Sequence, residues 1–138
     1  MPTQSMGITM ADKLVFLDAN VVLESTLKDR PQKNAAQKYL AAHRSVISPL
    51  TAHLVMYFGQ KDGLGQDALT SLLKMHSYAD LGTREVSWAL EHCQGTDFED
   101  ALQIACALGG SAASFATLDE KLAKRYQEFI PVTLLGEQ

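Results

Sequence analysis

Short apolar runs alternate with amphipathic helical patterns along most of this 138-residue chain. Residues 14–17 (LVFL) form an apolar run with branched and aromatic members, the pattern of a short strand buried on both faces. Residues 19–27 follow at once as a short helix. The polar turn KDRP comes next, with Pro31 suited to the first position of a helix over 31–43 that turns Ala35, Tyr39 and Leu40 inward. Residues 45–47 predict a second strand. Ser48-Pro49 then supplies an N-cap and a proline at the first helical position for the apolar helix TAHLVMYFG. After Asp62-Gly63 a further helix spans about 65–78, with Leu69, Leu72, Leu73 and Met75 as its apolar members.

The second half repeats the alternation. Residues 79–81 predict a very short third strand, and Thr83 is placed as the cap of a helix carrying Val86, Trp88, Ala89 and Leu90. Gly95 breaks the chain. Thr96-x-x-Glu99 has the spacing of a capping box at the head of a helix through Leu108, with Ala101, Ile104, Ala105 and Leu108 on one face. Gly109-Gly110 stops it, residues 112–116 predict a strand of small residues, and a helix (119–126) and a strand (130–134) finish the chain. Short strands alternating with helices predict an α/β fold: a three-layer α/β/α sandwich around a central parallel sheet of four to five strands. The length fits one domain, read here as 13–138 behind a flexible leader, 1–12.

Composition narrows the function classes. With 46% hydrophobic and 20% charged residues the chain is of globular type, and no apolar run approaches the ~18 residues of a membrane span. Residues 1–12 lack the basic start and long apolar segment of a signal peptide. Cys93 and Cys106 have no paired spacing, which argues against a disulfide or zinc framework and for a reduced, cytoplasmic protein. A net charge of −4 argues against general, charge-driven nucleic-acid binding, though a local basic patch or an acid-bound metal would still serve.

Asp18 is the residue that needs a reason. It sits between two apolar runs, 14–17 and 21–23, where an unpaired ionised carboxylate costs several kcal/mol. In parallel sheets, ligands bind at the carboxyl ends of strands. Asp18 ends the first strand, Asp119 follows the fourth, and Asp97 and Asp100 head the helix between. Converging carboxylates raise one another's pKa, and a divalent cation resolves the conflict; oxygen-only ligation suits Mg²⁺ or Mn²⁺. A metal so held can activate water and stabilise charge on phosphate oxygens. Each acid also has a plainer role: Asp97 and Asp100 as complements to a helix dipole, Asp119 as an N-cap.

Together FLDANVVLE, DFEDALQIACAL and FATLDEKL resemble the opening strand and helix, the central acidic helix and the late strand of PIN domains, the fold of VapC-type toxin ribonucleases. The resemblance spans about 13–135. It implies that Asp18, Asp100 and Asp119 are the metal-binding, catalytic acids and that Asn20 and Thr117 orient them. It further implies metal-dependent hydrolysis of single-stranded RNA, with a metal-bound water as nucleophile. In one respect the chain departs from the family. The glutamate expected on the helix after the second strand falls on Leu54, or on His53 one position off, and no acid occurs between Asp29 and Asp62. Either three aspartates suffice, or Glu24 or Asp97 supplies the missing oxygen, or hydrolysis is lost and an RNA- or protein-binding module remains. His53 as a ligand would favour Mn²⁺ or a later transition metal.

Cations near the acids are candidate substrate contacts: Lys28 and Arg30, with Lys33 and Lys38, around the second helix, and Lys121 and Lys124, with Arg125, on the last. The apolar stretches LVMYF and SLLKM are core or, as the resemblance implies, a surface for a homodimer or for an antitoxin peptide laid in a groove. The expectation is therefore a PIN-type ribonuclease toxin, with the impaired scaffold as its competitor. An aspartate phosphatase fits less well, since Asp18-Ala19-Asn20 lacks the second acid, and a receiver domain lacks its acid pair.

Overall fold

The computed structural model describes residues 13–136, so the leader expected over 1–12 lies outside the described residues. Five strands, β1 (Val15–Leu17), β2 (Ser45–Ile47), β3 (Ser77–Tyr78), β4 (Ser114–Thr117) and β5 (Val132–Leu134), form one parallel sheet in the order β3-β2-β1-β4-β5. Seven helices connect them: α1 (Ala19–Thr26), α2 (Lys33–Ala42), α3 (Pro49–Lys61), α4 (Gln66–Lys74), α5 (Thr83–His92), α6 (Phe98–Gly109) and α7 (Glu120–Tyr126).

Side chains alternate across each strand, so the apolar runs feed two cores. Val15, Leu17, Ile47 and Ala116 face one layer with Val21, Val22, Ala36, Val55 and Leu69, the buried residues of α1 to α4. Phe16, Val46 and Phe115 face the other with Ala89, Ile104, Leu122 and Tyr126 of α5, α6 and α7. Phe16 and Phe115, opposite one another on β1 and β4, stack with ring centroids 5.4 Å apart. The three-layer α/β/α sandwich with a parallel sheet is therefore what the alternation of elements predicts. Among the described residues no helix is long and apolar enough to cross a membrane.

Several local expectations shift. The third strand is 77–78 rather than 79–81, because α4 ends early, at Lys74, and Ser77 is already in register with Val46. Pro31 lies in the turn before α2, and Ala36 is buried in place of the exposed Ala35, which puts the inward face at 36, 39 and 40. Gly82, not Thr83, is the cap of α5; its N–H is bound by Glu85 Oε1 at 2.8 Å. Thr96-x-x-Glu99 makes no capping box, since α6 starts after Asp97.

A larger difference concerns α6, which is buried all round over residues 101–107 rather than along one stripe. It lies against β4 on one side and α5 on the other. Its one buried polar side chain, Gln103, is satisfied by α3: the Ser48 hydroxyl donates to Oε1 at 2.6 Å, and Nε2 donates to Thr51 Oγ1 at 2.9 Å. Ser48 Oγ also caps α3 by accepting from Thr51 N–H. Ser48→Ala removes the cap and orphans a buried acceptor, so it should cost about 2–3 kcal/mol in chemical denaturation; a change below ~0.5 kcal/mol would show that the network is dispensable.

Candidate active site

Chain order moves from β1 to β2 and β3 on one side and resumes at β4 on the other, so β1 and β4 flank the topological switch point. The helices that leave them, α1 and α7, pack on opposite faces of the sheet. A crevice results at their carboxyl ends, where parallel sheets bind ligands. Asp18 ends β1 and Thr117 ends β4.

The Thr117 hydroxyl organises this edge. It donates to Asp18 Oδ2 at 2.8 Å, accepts from Asn20 Nδ2 at 3.3 Å and accepts from the Asp119 N–H at 3.0 Å. Asn20 Oδ1 takes the Leu118 N–H at 3.2 Å, which ties the start of α1 to the turn after β4. Asp18 is also the N-cap of α1, and its Oδ1 accepts from the Ala19 N–H at 2.8 Å. Asp119 is the N-cap of α7, with Oδ1 accepting from the N–H groups of Lys121 and Leu122 at 2.9 and 3.2 Å. Asp100 is half-buried on the first turn of α6, and its carboxylate takes no hydrogen bond from the described residues.

The electrostatics follow from this placement. Asp18 is 6% exposed, and burial pushes its carboxyl up to about 7; the Thr117 hydrogen bond opposes the rise, and the Asp100 charge adds to it. Burial also pushes Asp100 up to about 6, reinforced by the charges of Asp119, Asp97 and Glu99 and opposed by Arg125. The Asp100 charge thus reaches Asp18, and the Asp119 charge reaches Asp100. Oxygen donors that repel one another suit a hard divalent cation by chemistry. Yet among the described residues no three such side chains are gathered closely enough to enclose an ion, and Asp119 spends one oxygen on the amides of α7. An ion held by one or two carboxylates, with water or a substrate phosphate completing its shell, is the usual Mg²⁺ arrangement. The residues fit that group.

Glu24 and Asp97, the two acids considered as replacements for the missing glutamate, are both occupied. Glu24 Oε2 accepts from the Gln32 N–H at 2.7 Å, with Arg30 3.7 Å from Oε1, which fastens the loop after α1. Asp97 Oδ2 accepts from Arg125 Nη1 at 2.6 Å and from the Tyr126 hydroxyl at 2.7 Å. Burial alone would push Asp97 up, but these bonds, that from the Gln94 N–H and the Arg125 charge hold it below the ordinary value. Both oxygens of Asp97 are taken, while Glu24 Oε1 has only the longer Arg30 ion pair. Leu54 is half-buried on α3, and His53 is exposed and stacked on Tyr57. Lys28, Arg30, Lys121 and Lys124 are exposed, Lys124 beside Glu120 at 3.8 Å. The partnership of Asp97 with Arg125 and Tyr126 had no signal in the sequence, since it joins residues 28 and 29 positions apart.

A family model described as the PIN domain matches residues 15–128. No protein of curated function matches the chain. Solved structures that share the fold include the following three. A toxin–antitoxin complex from Klebsiella pneumoniae has a TM-score of 0.68 at 17% identity, over 86% of this chain and 95% of that one. VapC20 of Mycobacterium tuberculosis, a sarcin–ricin loop cleaving toxin, has 0.66 at 12% identity, over 80% and 93%. VapBC2 of Rickettsia felis, bound to a DNA fragment from its promoter, has 0.64 at 14%, over 89% and 99%.

The raised carboxyls make stability depend on pH. With Asp18 near 7 in the folded chain against 3.8 unfolded, the folded state keeps a proton between about pH 4 and 7 that the unfolded chain has lost. Asp100, near 6, acts in the same direction. Stability of the metal-free protein should therefore fall as pH rises through that window. Asp18→Asn should flatten the fall and raise the melting midpoint at pH 8 by ~4 °C or more. Calorimetric scans at several pH values check this, and a variant less stable than wild type at pH 8 would contradict it.

Proposed function

The chain belongs to the PIN domain family, and from that premise we propose that it is a divalent-metal-dependent endoribonuclease that hydrolyses phosphodiester bonds in single-stranded RNA as the toxin of a toxin–antitoxin pair. What supports the reading is the buried Asp18 carboxyl at the switch point of the sheet, raised by burial together with that of Asp100, whose rise the Asp119 charge reinforces. In this reading Asp18 and Asp100 hold Mg²⁺ or Mn²⁺, and Asp119 lies beside them. The ion supplies charge neutralisation, an activated water and stabilisation of the phosphate oxygens.

The chain's own residues prepare that chemistry. Thr117 and the Ala19 N–H fix the rotamer of Asp18, so its carboxylate is oriented before any ion arrives. Asn20 locks the 117–118 backbone and thereby the start of α7. Lys28 and Arg30 after α1, and Lys121 and Lys124 on α7, are the candidate phosphate contacts of the RNA strand.

Kinship of fold with toxins solved in toxin–antitoxin complexes supports an antitoxin partner in the cytoplasm, and a homodimer belongs to the same reading. Tyr57 and Phe58 on α3 and Met75 after α4 are exposed and offer apolar surface for such a partner. A second reading, a PIN scaffold that binds without hydrolysis, is favoured by Leu54, which leaves the site one carboxylate short.

Cleavage of a mixed-sequence single-stranded RNA separates the two readings. Wild type should cleave with Mg²⁺ or Mn²⁺ and stop on chelation, and Asp100→Asn should lose at least ~100-fold in rate. Folded wild type that binds RNA without cleaving it under any of these conditions would establish the binding module instead.

A further inference from the structure

Asp100 and Asp119 ride on different helices, and those helices pack chiefly on other partners: α6 on α5 and β4, α7 on β4 and β5. The tie between them is polar. Asp97, at the head of α6 and 7% exposed, accepts on Oδ2 from Arg125 Nη1 and the Tyr126 hydroxyl, and on Oδ1 from the Gln94 N–H at 2.6 Å. Arg125 and Tyr126 close the helix that Asp119 opens. Tyr126 is 1% exposed and set among Trp88 and Phe129, so it is a fixed anchor. Short hydrogen bonds to an ionised carboxylate are about twice as strong as neutral ones, and three of them leave Asp97 little freedom. Asp97 precedes Asp100 by three residues, so both lie on the same side of the first turn, and any tilt of that turn moves Asp100.

We propose that Asp97 and Arg125 are positioning residues: their clamp with Tyr126 fixes the first turn of α6 against α7 and so holds Asp100 in place relative to Asp119 and Asp18. This role presupposes the nuclease reading above. It accounts for a buried acid beside the centre that offers no free oxygen, and for an arginine that joins the two helices bearing the site. Displacement of a catalytic group by about 1 Å is enough to cost ~100-fold in rate.

The test compares wild type, Asp97→Asn, Arg125→Met and Arg125→Lys. Four quantities are read on each: kcat and KM for single-stranded RNA, Mn²⁺ affinity by electron paramagnetic resonance, and the melting midpoint. Arg125→Met and Asp97→Asn should lower kcat and Mn²⁺ affinity by ~10–100-fold, with KM for RNA within ~2-fold of wild type. Arg125→Lys, which restores a donor to Asp97, should recover part of both. Arg125 is partly exposed, so its variants remain informative if Asp97→Asn does not fold. Unchanged kcat and Mn²⁺ affinity in folded variants, with only the melting midpoint lowered, would reduce the clamp to a structural tie and overturn the role. A rise in KM alone would make Arg125 a phosphate contact and overturn it too. A wild type that neither binds Mn²⁺ nor cleaves RNA would remove the nuclease reading and this role together, whereas an active wild type with equally active variants removes this role alone.

Discussion

The 2.8 Å hydrogen bond from the Thr117 hydroxyl to Asp18 joins the two strands at the switch point through a buried carboxylate. The rest of the site depends on it. The bond fixes Asp18, and the same hydroxyl receives the Asp119 N–H, so one side chain sets the exits of both β1 and β4. Burial at this spot disfavours the charged form of Asp18 more strongly than the hydrogen bonds favour it. A fold that keeps a carboxylate there gives up stability at neutral pH. That sacrifice is explained if a cation offsets the charge.

The absence of a carboxylate at Leu54 fits the same electrostatic logic. A further acid beside Asp18 and Asp100 would raise both carboxyls further in the metal-free chain. With Leu54 instead, the centre is less charged and the demand for a cation is correspondingly weaker. Glu24 and Asp97 are engaged elsewhere, one fastening the loop after α1 and the other clamping α6 to α7. An ion held by so few carboxylates would keep more of its own water than in a four-acid site.

Much of this was legible in local pattern. The apolar run before Asp18 marks a strand buried on both faces, and the alternation of strands and helices marks the parallel sandwich. Asp18 and Asp119 stood out beside apolar strand ends, whereas Asn20 and Thr117 came only from the resemblance to PIN domains; hydrogen bonds join all four in the structure. What escaped were interactions that local pattern does not encode. Asp119 is the N-cap of α7, the plainer of the two roles posed for it, and its charge also reaches Asp100 on another helix. Gln103 looks like a polar position on an amphipathic helix, yet it is buried and paired with Ser48 and Thr51 more than 50 residues earlier. The boundary of α4 shifted by four residues because strand pairing with β2 outweighed helix pattern at Ser77 and Tyr78.

Titration calorimetry of Mn²⁺ into the wild-type protein near pH 6.5, in two buffers of different ionisation enthalpy, asks whether a cation offsets the buried charge of Asp18. The account predicts saturable binding of one ion with net proton release, as the cation displaces protons from Asp18 and Asp100. Folded protein that shows no saturable uptake, or uptake without proton release, would contradict it.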